Sequence, residues 1–360
     1  MAEDELPPKP EGPLRSGWTT GACAAAAAAA GARAWATGDF PAEISIRLPQ
    51  GQTPVFAVAH RARGPGWVEA GIVKDAGDDP DVTHGALIVT RLTPAESGLR
   101  FEAGEGVGTV TRPGLALPPG EPAINPGPRK LIAETLAAIA ERFGAPSAWT
   151  VRVSIPGGAE LAKKTLNARL GIVGGLSVLG TTGIITPYSC AAWIHSIHRG
   201  IDVARAAGIG HVAAATGSVS EAFAKAHYAL PDEALIDMGD FAGGTLKYLR
   251  DHPVPRVTLA GGFAKLAKLA CGAMDLHSSR SRVDNAALAA MLRELGAAAD
   301  LPGDAPAGAY LAEAARAGVA LGDAVAERAR RVARETLGPG IALDVLVVDR
   351  AGACVGRAGP

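Results

Sequence analysis

Strand and helix signals alternate in the second half of the chain, and this order constrains the fold more than any other feature. Apolar β-type runs at 211–215, 234–238 and 256–259 are each followed by a helical stretch, and a last apolar run lies at 343–348. Strands that alternate with helices build parallel sheets covered by helices. Residues 188–360 therefore predict an α/β domain with a Rossmann-like, mainly parallel sheet.

The first half of the chain has a different pattern. Between residues 14 and 187, short β-type runs surround two helical stretches at 21–36 and 128–143. Mixed strands and helices without regular alternation predict an α+β domain. Residues 1–13 are acidic and rich in proline, which predicts a disordered tail and not a signal peptide. The whole chain thus predicts a two-domain fold, with an α+β domain before an α/β domain.

The charge balance and the cysteines limit the partners and the compartment. Lys and Arg number 35 against 36 Asp and Glu, so no overall field attracts nucleic acid or an anionic membrane. Four cysteines lie far apart with no C-x-x-C pair, which fits a reducing cytoplasm. No apolar stretch reaches the ~18 residues that a membrane helix needs. We expect a cytoplasmic protein without nucleic-acid or membrane partners.

The densest polar segment is the acidic loop, residues 74–85, between two predicted strands. So much like charge in one turn indicates either a cation nearby or raised pKa values, although an ordinary solvated turn has a similar composition. The spacing departs from the EF-hand pattern, so we expect no metal ion held by the protein alone. Candidate acids and bases in the loop are Asp75, Asp78, Asp79, Asp81 and His84.

A second polar segment, residues 161–189, combines cations with glycines. Its cations suit carboxylate or phosphate groups, and its glycines allow a close approach of the backbone to a ligand. The order of residues is not that of a P-loop, and a structural loop with a solvated lysine pair is the alternative. The residues concerned are Lys163, Lys164, Arg169, Gly174, Gly175 and the turn from Gly180 to Gly183.

The second half also contains a candidate nucleoside site. The run 211–215 leads into Thr216, Gly217 and Ser218, and Asp237 lies twenty positions after Gly217. A turn at a helix start with a carboxylate about 20 residues later is how Rossmann-like sheets hold an adenosine ribose. Ordinary strand-to-helix turns look similar. Further residues after predicted strands are Gly239, Asp240, Gly261 and Gly262.

Three stretches of the sequence together resemble the CbiD family: residues 17–23 (GWTTGAC), 74–85 and 161–187. The resemblance extends from about residue 14 to residue 269, and we find no motif of the family beyond Asp275. The family pattern has Tyr at the position of Trp18, Thr at Ala22 and often Lys near Ala29.

The resemblance implies a two-domain α/β architecture and a role in cobalamin (vitamin B12) biosynthesis. The implied reaction is a transfer of the methyl group of S-adenosylmethionine to C-1 of cobalt-precorrin-5B, which gives cobalt-precorrin-6A. Cobalt then arrives as part of the substrate. The implied partner is the cobalt-precorrin macrocycle, with transient contacts to neighbouring pathway enzymes, while homo-oligomerisation stays open.

Within this reaction we assign three sets of residues. The acidic-loop candidates Asp75, Asp78, Asp79, Asp81 and His84 would remove a proton or stabilise positive charge. The acid side chains of the macrocycle would contact Thr19, Thr20, Arg129, Lys163, Lys164, Asn167, Arg169, Thr181 and Thr182. The methyl donor would contact Thr216, Gly217, Ser218, Asp237, Gly239, Asp240, Gly261 and Gly262.

Two other functions remain compatible with the sequence. A nucleotide-dependent phosphotransferase would hold magnesium in the acidic loop, but a Walker-type lysine motif is missing. A non-enzymatic tetrapyrrole carrier would bind the macrocycle tightly and would not bind S-adenosylmethionine.

Overall fold

The computed structural model describes residues 10–298 and 300–359. These residues form two compact units that divide between Cys190 and Ala191. Most of the predicted tail, residues 1–13, lies outside the described residues. Within the described ranges, every helix is too short or too polar to cross a membrane.

The first unit mixes helices with short antiparallel strands. In chain order its elements are β1 (Gly17–Trp18), α1 (Thr20–Thr37), β2 (Glu43–Ser45), β3 (Val55–Ala57), β4 (His60–Gly64), β5 (Trp67–Val73), β6 (Leu87–Pro94), β7 (Leu99–Ala103), β8 (Thr109–Val110), α2 (Pro126–Phe143), β9 (Trp149–Ser154), α3 (Gly158–Ala162), β10 (Ile172–Val173) and β11 (Ile184–Ile185).

Helix α1 is the centre of this unit. The residues from Ala22 to Ala30 are fully buried on every side of the helix, as expected for a helix that is apolar all round. The helix packs against α2 and against β5 and β6, and its backbone approaches the sheet so closely that the Thr90 hydroxyl donates to the Ala24 carbonyl at 2.9 Å. Methyl side chains permit this approach. The Thr19 hydroxyl accepts from the backbone N–H of Ala22 and caps the helix start.

The main sheet of the first unit has the strand order β4-β5-β6-β9-β7. Neighbouring strands are antiparallel except β7 and β9, which are parallel. Strand β7 is an edge strand of this sheet. Smaller pairs, β1 with β11 and β8 with β10, connect the loops around the start of α1 and α2.

The second unit alternates strands and helices. In chain order its elements are α4 (Cys190–Ala206), β12 (His211–Ala215), α5 (Ser218–Tyr228), β13 (Leu235–Asp237), α6 (Ala242–Asp251), β14 (Arg256–Gly262), α7 (Phe263–Ala270), α8 (Asn285–Glu294), α9 (Ala307–Ala317), α10 (Leu321–Leu337), β15 (Ala342–Val348) and β16 (Cys354–Ala358).

The sheet of the second unit has the order β13-β12-β14-β15-β16. Its first four strands are parallel, and β16 is antiparallel to β15. Buried aliphatic side chains from α4, α6, α7 and α10 form one core with the strands. The predicted mixed α/β class is confirmed. The parallel strands place the carboxyl ends of β12, β13 and β14 at one edge, where open α/β sheets bind ligands.

Candidate functional site

The segment before α1 joins two of the motifs that the sequence analysis singled out. The backbone N–H of Trp18 donates to the Asp75 carbonyl at 2.8 Å, and that of Thr19 donates to the Gly183 carbonyl at 3.0 Å. A β-carbon on Gly17 would lie 1.9 Å from the Ala76 carbonyl carbon, so only glycine fits there. The acidic loop and the Gly180 turn therefore lie together at the start of α1. We call residues 17–20, 74–85 and 179–188 the α1 cradle.

Two carboxylates of the acidic loop are bound by Arg15. Its guanidinium donates to Asp75, with Nη2 at 2.9 Å from Oδ1, and its backbone N–H donates to Asp78 at 2.6 Å. Hydrogen bonds from Arg15 and from the Gly77 backbone lower the pKa of Asp75 to about 2. These carboxylates hold the loop against the segment before β1, and the lowered pKa leaves Asp75 a poor proton acceptor at neutral pH.

Asp81 is held by Lys74, whose side chain is completely buried. The Lys74 ammonium donates to the Asp81 carboxylate and, at 2.6 Å, to the Thr83 hydroxyl. Burial alone would raise the pKa of Asp81, but the charge of Lys74 and the hydrogen bonds from Lys74 and Thr83 outweigh it and lower this pKa. The sequence analysis assigned no role to Lys74, since a buried lysine is unexpected in so polar a loop.

Asp79 differs from its neighbours in the acidic loop. Its Oδ1 accepts a hydrogen bond from the backbone N–H of Tyr188 at 2.8 Å. Burial raises the pKa of Asp79, and that one hydrogen bond offsets the effect only in part. A carboxylate with a raised pKa is a better proton acceptor near neutral pH than one held by a cation.

His84 is half exposed, and its Nδ1 accepts a hydrogen bond from the backbone N–H of Ala76 at 3.1 Å. In the neutral imidazole this contact places the proton on Nε2, because a ring nitrogen that accepts cannot also carry hydrogen. The exposed nitrogen is then a hydrogen-bond donor. This geometry suits contact with a hydrogen-bond acceptor, and the role of His84 as a base stays a prediction.

Cys23 lies in the first turn of α1, beside the cradle. Burial raises the pKa of its thiol to about 12. The thiol is therefore protonated at neutral pH and is a poor nucleophile.

The predicted substrate contacts are distributed over several loops of the first unit. Lys163 pairs with Glu160 at 2.7 Å, and Lys164 is exposed without a partner among the described residues. The buried Asn167 donates to the Gly175 carbonyl at 3.2 Å. Thr182 closes a local turn with the Ile184 backbone. Of the other predicted contacts, Thr19 and Thr20 begin α1, Arg169 is half-buried and Thr181 is exposed.

Arg129 lies in the first turn of α2. Its Nε donates to the Ile124 carbonyl at 2.7 Å, and its Nη2 donates to the Glu121 carboxylate at 2.8 Å. These contacts fix the guanidinium in one place. The substrate role of Arg129 stays a prediction, as do the roles of the loop residues.

The predicted donor-site residues lie at the carboxyl edge of the second sheet. Thr216, Gly217 and Ser218 follow β12, Asp237 ends β13 and is followed by Gly239 and Asp240, and Gly261 and Gly262 end β14.

Lys265 connects two of these strand ends. Its Nζ lies 3.1 Å from the Thr216 carbonyl oxygen and 3.2 Å from Oδ1 of Asp240. Lys265 was not predicted from the sequence, since one lysine in an amphipathic helix is typical of a solvated face.

Asp240 is only 3% exposed, and its Oδ1 accepts no hydrogen bond from any described residue, although Lys265 lies near it. Lys265 therefore balances the charge of this oxygen, while its capacity to accept a hydrogen bond is left for a further donor.

Gly217 and Gly262 at the same edge are not required by the fold. Their φ values, 170° and −66°, suit any residue, and an added β-carbon would meet nothing within 4 Å. Open space at both glycines allows a ligand to approach the backbone.

Among the described residues, no group of three or more His, Cys, Asp or Glu side chains could hold a metal ion.

The geometry defines an α/β protein with a polar cradle in one unit and a glycine-lined sheet edge in the other. Residues 8–187 match the CbiD family, and residues 275–359 match the family described as CbiD, C-terminal domain. The chain belongs to the CbiD family. The second match covers the segment after Asp275, where the sequence analysis found no motif.

Relatives from bacteria are similar over almost their whole length. A protein of Paramagnetospirillum magneticum is 59% identical over 96% of this chain and 98% of its own, and one of Brucella canis is 53% identical over 98% and 99%. Both are named cobalt-precorrin-5B C(1)-methyltransferase. The crystal structure of a cobalamin biosynthesis protein (cbiD) from Archaeoglobus fulgidus is 28% identical, with a TM-score of 0.42 over 75% of this chain and 84% of that one.

Proposed function

We propose that this chain is an S-adenosylmethionine-dependent methyltransferase that adds a methyl group to C-1 of cobalt-precorrin-5B and gives cobalt-precorrin-6A. The observation that carries the proposal is the 59% identity, over 98% of its length, to a relative named for C(1)-methylation of this substrate. The same identity favours methyl transfer over a phosphotransferase or a carrier.

We place the methyl donor at the carboxyl edge of the second sheet, as expected if this unit is a Rossmann-like domain. S-adenosylmethionine carries ribose hydroxyls and an ammonium group, and these are the donors that the unsatisfied oxygen of Asp240 needs. The open backbone at Gly217 and Gly262 admits the nucleoside. Asp237 remains the candidate for the ribose, and the bound donor supplies the methyl group.

We place the macrocycle at the α1 cradle. Methyl transfer from a sulfonium is an in-line displacement, so most of the rate enhancement comes from holding the nucleophilic carbon in position. The cradle is suited to this role, because Arg15, Lys74 and the backbone contacts of Gly17 fix its loops.

Asp79 is the residue that we assign to proton removal. Of the loop carboxylates, Asp75 and Asp81 have lowered pKa values and Asp78 accepts from Arg15, whereas the pKa of Asp79 is raised. One oxygen of Asp79 is held by Tyr188, which leaves the other available to a substrate proton. His84 donates a hydrogen bond through Nε2 to an acceptor on the macrocycle.

The test of this function is incubation of the full chain with methyl-labelled S-adenosylmethionine and cobalt-precorrin-5B. We expect one labelled methyl group, assigned to C-1 by NMR of the product. Tight binding of the macrocycle without binding of S-adenosylmethionine would support the carrier instead. Thermal stabilisation by a nucleotide triphosphate, without methyl transfer, would support the phosphotransferase.

A further inference from the structure

A cavity of about 560 Å³ lies beside the edge strand β7 in the first unit. Its walls are β7, the turn from Gly120 to Pro122, and the first turn of α2. The charged side chains that line it are Arg100, Glu102, Glu121, Arg129 and Arg152. Among these residues, only Arg129 was assigned a role from the sequence.

Two of the three arginines already have carboxylate partners. Arg152 donates to Glu102 at 2.7 Å, and Arg129 donates to Glu121 at 2.8 Å. Arg100 is exposed, and its guanidinium makes no hydrogen bond or ion pair with any described residue. The lining therefore has one positive charge more than it has negative charges, and that charge belongs to a guanidinium suited to a carboxylate.

The backbone of β7 adds further donors to the same cavity. On the inner side, the Gly98 carbonyl accepts from Trp149, and the Gly104 N–H donates to Val153. Because backbone groups alternate along a strand, both the N–H and the C=O groups of Leu99, Phe101 and Ala103, which line the cavity, face away from β9.

Helix α2 connects this cavity to the α1 cradle. A β-carbon on Gly127 would lie 3.1 Å from the Gly180 carbonyl oxygen, so this part of α2 packs on the Gly180 turn. Arg129 lies two residues further along and lines the cavity. The Gly180 turn and the cavity thus both border the first turn of α2.

We propose that this cavity binds carboxylate groups at the rim of the macrocycle, with Arg100 as the contacting cation. The proposal rests on the proposed function, from which the ligand is taken: a precorrin carries many acetate and propionate groups around its ring. Arg129 and Arg152 keep their protein partners and position the walls. The Lys163 and Glu160 pair is not needed for this contact.

The test compares Arg100→Glu with Arg47→Glu in the full chain. Arg47 is the matched control, because it is an exposed arginine of the first unit, without a partner among the described residues and outside the cavity. The probes are a cobalt corrinoid whose side chains are free carboxylic acids and the same corrinoid with all side chains esterified. Calorimetry gives the dissociation constants at low and at high ionic strength.

We expect Arg100→Glu to weaken binding of the polyacid at least tenfold and to flatten its salt dependence. Arg47→Glu should stay within about twofold of the parent chain, and the ester should bind every variant equally weakly. Arg100→Gln should lie between the parent chain and Arg100→Glu.

Equal dissociation constants for the Arg100 and Arg47 variants overturn the proposal, as does a parent chain that does not prefer the polyacid to the ester. Transfer of labelled methyl to cobalt-precorrin-5B by the parent chain is measured separately. If that transfer occurs while the two variants bind alike, the cavity assignment alone fails. If no transfer occurs, the proposed function fails, whatever the polyacid does.

Discussion

The ammonium group of Lys74, which is completely buried, binds the carboxylate of Asp81 inside the acidic loop. This ion pair offsets part of the repulsion between the carboxylates of the loop and holds the loop in one conformation. Asp81 in turn accepts from the backbone N–H of Thr83 at 2.7 Å and so shapes the end of the loop.

Lys74→Met should destabilise the protein by about 3 kcal/mol, because it leaves Asp81 without its counter-charge in a mostly buried place. The exposed fraction of the Asp81 side chain, 24%, places the expected effect at the low end of the range for buried pairs. The free energy of unfolding in urea measures this effect. Lys164→Met, at an exposed lysine, should change it by less than about 0.5 kcal/mol. Equal effects of the two substitutions would contradict a structural role for the Lys74 contact.

The lowered pKa of Asp81 makes the stability of the protein depend on pH. Its pKa is lowered in the folded protein, so its contribution is fully present above the unfolded value of about 3.9 and is lost as the pH falls through the folded value. Asp81→Asn should therefore be less stable than the parent chain at pH 7, and the difference should shrink as the pH falls below about 4. Urea unfolding at several pH values tests this, and a difference that stays constant would argue against it.

Gly217→Ala and Gly262→Ala should fold as the parent chain does and bind S-adenosylmethionine at least tenfold more weakly. The added methyl meets no protein atom but occupies the space that we assign to the ligand. Gly303→Ala, an exposed glycine of the same unit with equal space, is the control. Melting temperatures and calorimetric dissociation constants are measured together. Unchanged affinity in both variants would remove the donor from this sheet edge.

Asp240→Asn should weaken binding of S-adenosylmethionine about tenfold or more, because hydrogen bonds to a charged group contribute about 1.5–3 kcal/mol. Asp251→Asn is the control, since Asp251 ends α6 in the same unit and pairs at the surface with Arg250. Equilibrium binding of the labelled donor is the measurement. An affinity equal to that of the control would show that Oδ1 of Asp240 does not contact S-adenosylmethionine.

Asp79→Asn should lower kcat about 10²–10⁴-fold and leave the dissociation constants of both ligands within about threefold. The raised pKa of Asp79 should place the acid limb of the pH–rate profile above the usual range of aspartate, and the substitution should abolish that limb. Asp39→Asn, at an exposed carboxylate of the first unit, should leave the profile unchanged. A persistent acid limb in Asp79→Asn would assign it to another group.

Most helices and strands of the second unit were predicted from the sequence, because the spacing of apolar residues in long segments indicates helix or strand directly. The run 211–215 coincides with β12, and the predicted helical stretch after residue 285 is resolved into α8, α9 and α10. The last strand, β16, was missed: it is short, exposed on one side, and is fixed by its pairing with β15.

The first unit was harder to predict, because its strands are stabilised across the sheet. In β5, β6, β9 and β7 one face carries charged residues that pair with neighbouring strands, as Glu69 does with Arg91 and Glu102 with Arg152. In β5 and β7 such residues give a polar composition that suggests a loop, whereas β6 and β9 coincide with β-type runs that the sequence predicted at 86–92 and 151–155.

The contacts within the candidate site could not be predicted from the sequence, because they join residues that are distant in the chain. Arg15 and Asp75 are sixty positions apart in the chain, and nothing local indicates that they pair. Lys265 contacts the Thr216 carbonyl and Asp240 only because the parallel sheet brings the end of β12 and Asp240 close to it. The tautomer of His84 likewise depends on the backbone of Ala76 and is set by the folded loop.

Alanine has no side-chain torsion to change, so the wall of methyl groups around α1 cannot absorb a displacement by rearranging rotamers. A displacement of the start of this helix must therefore also displace β5, β6 and α2, which pack against it. The loops to which we assign the macrocycle are attached to this tightly packed helix, so a shift of one of them would also displace the elements that pack on α1.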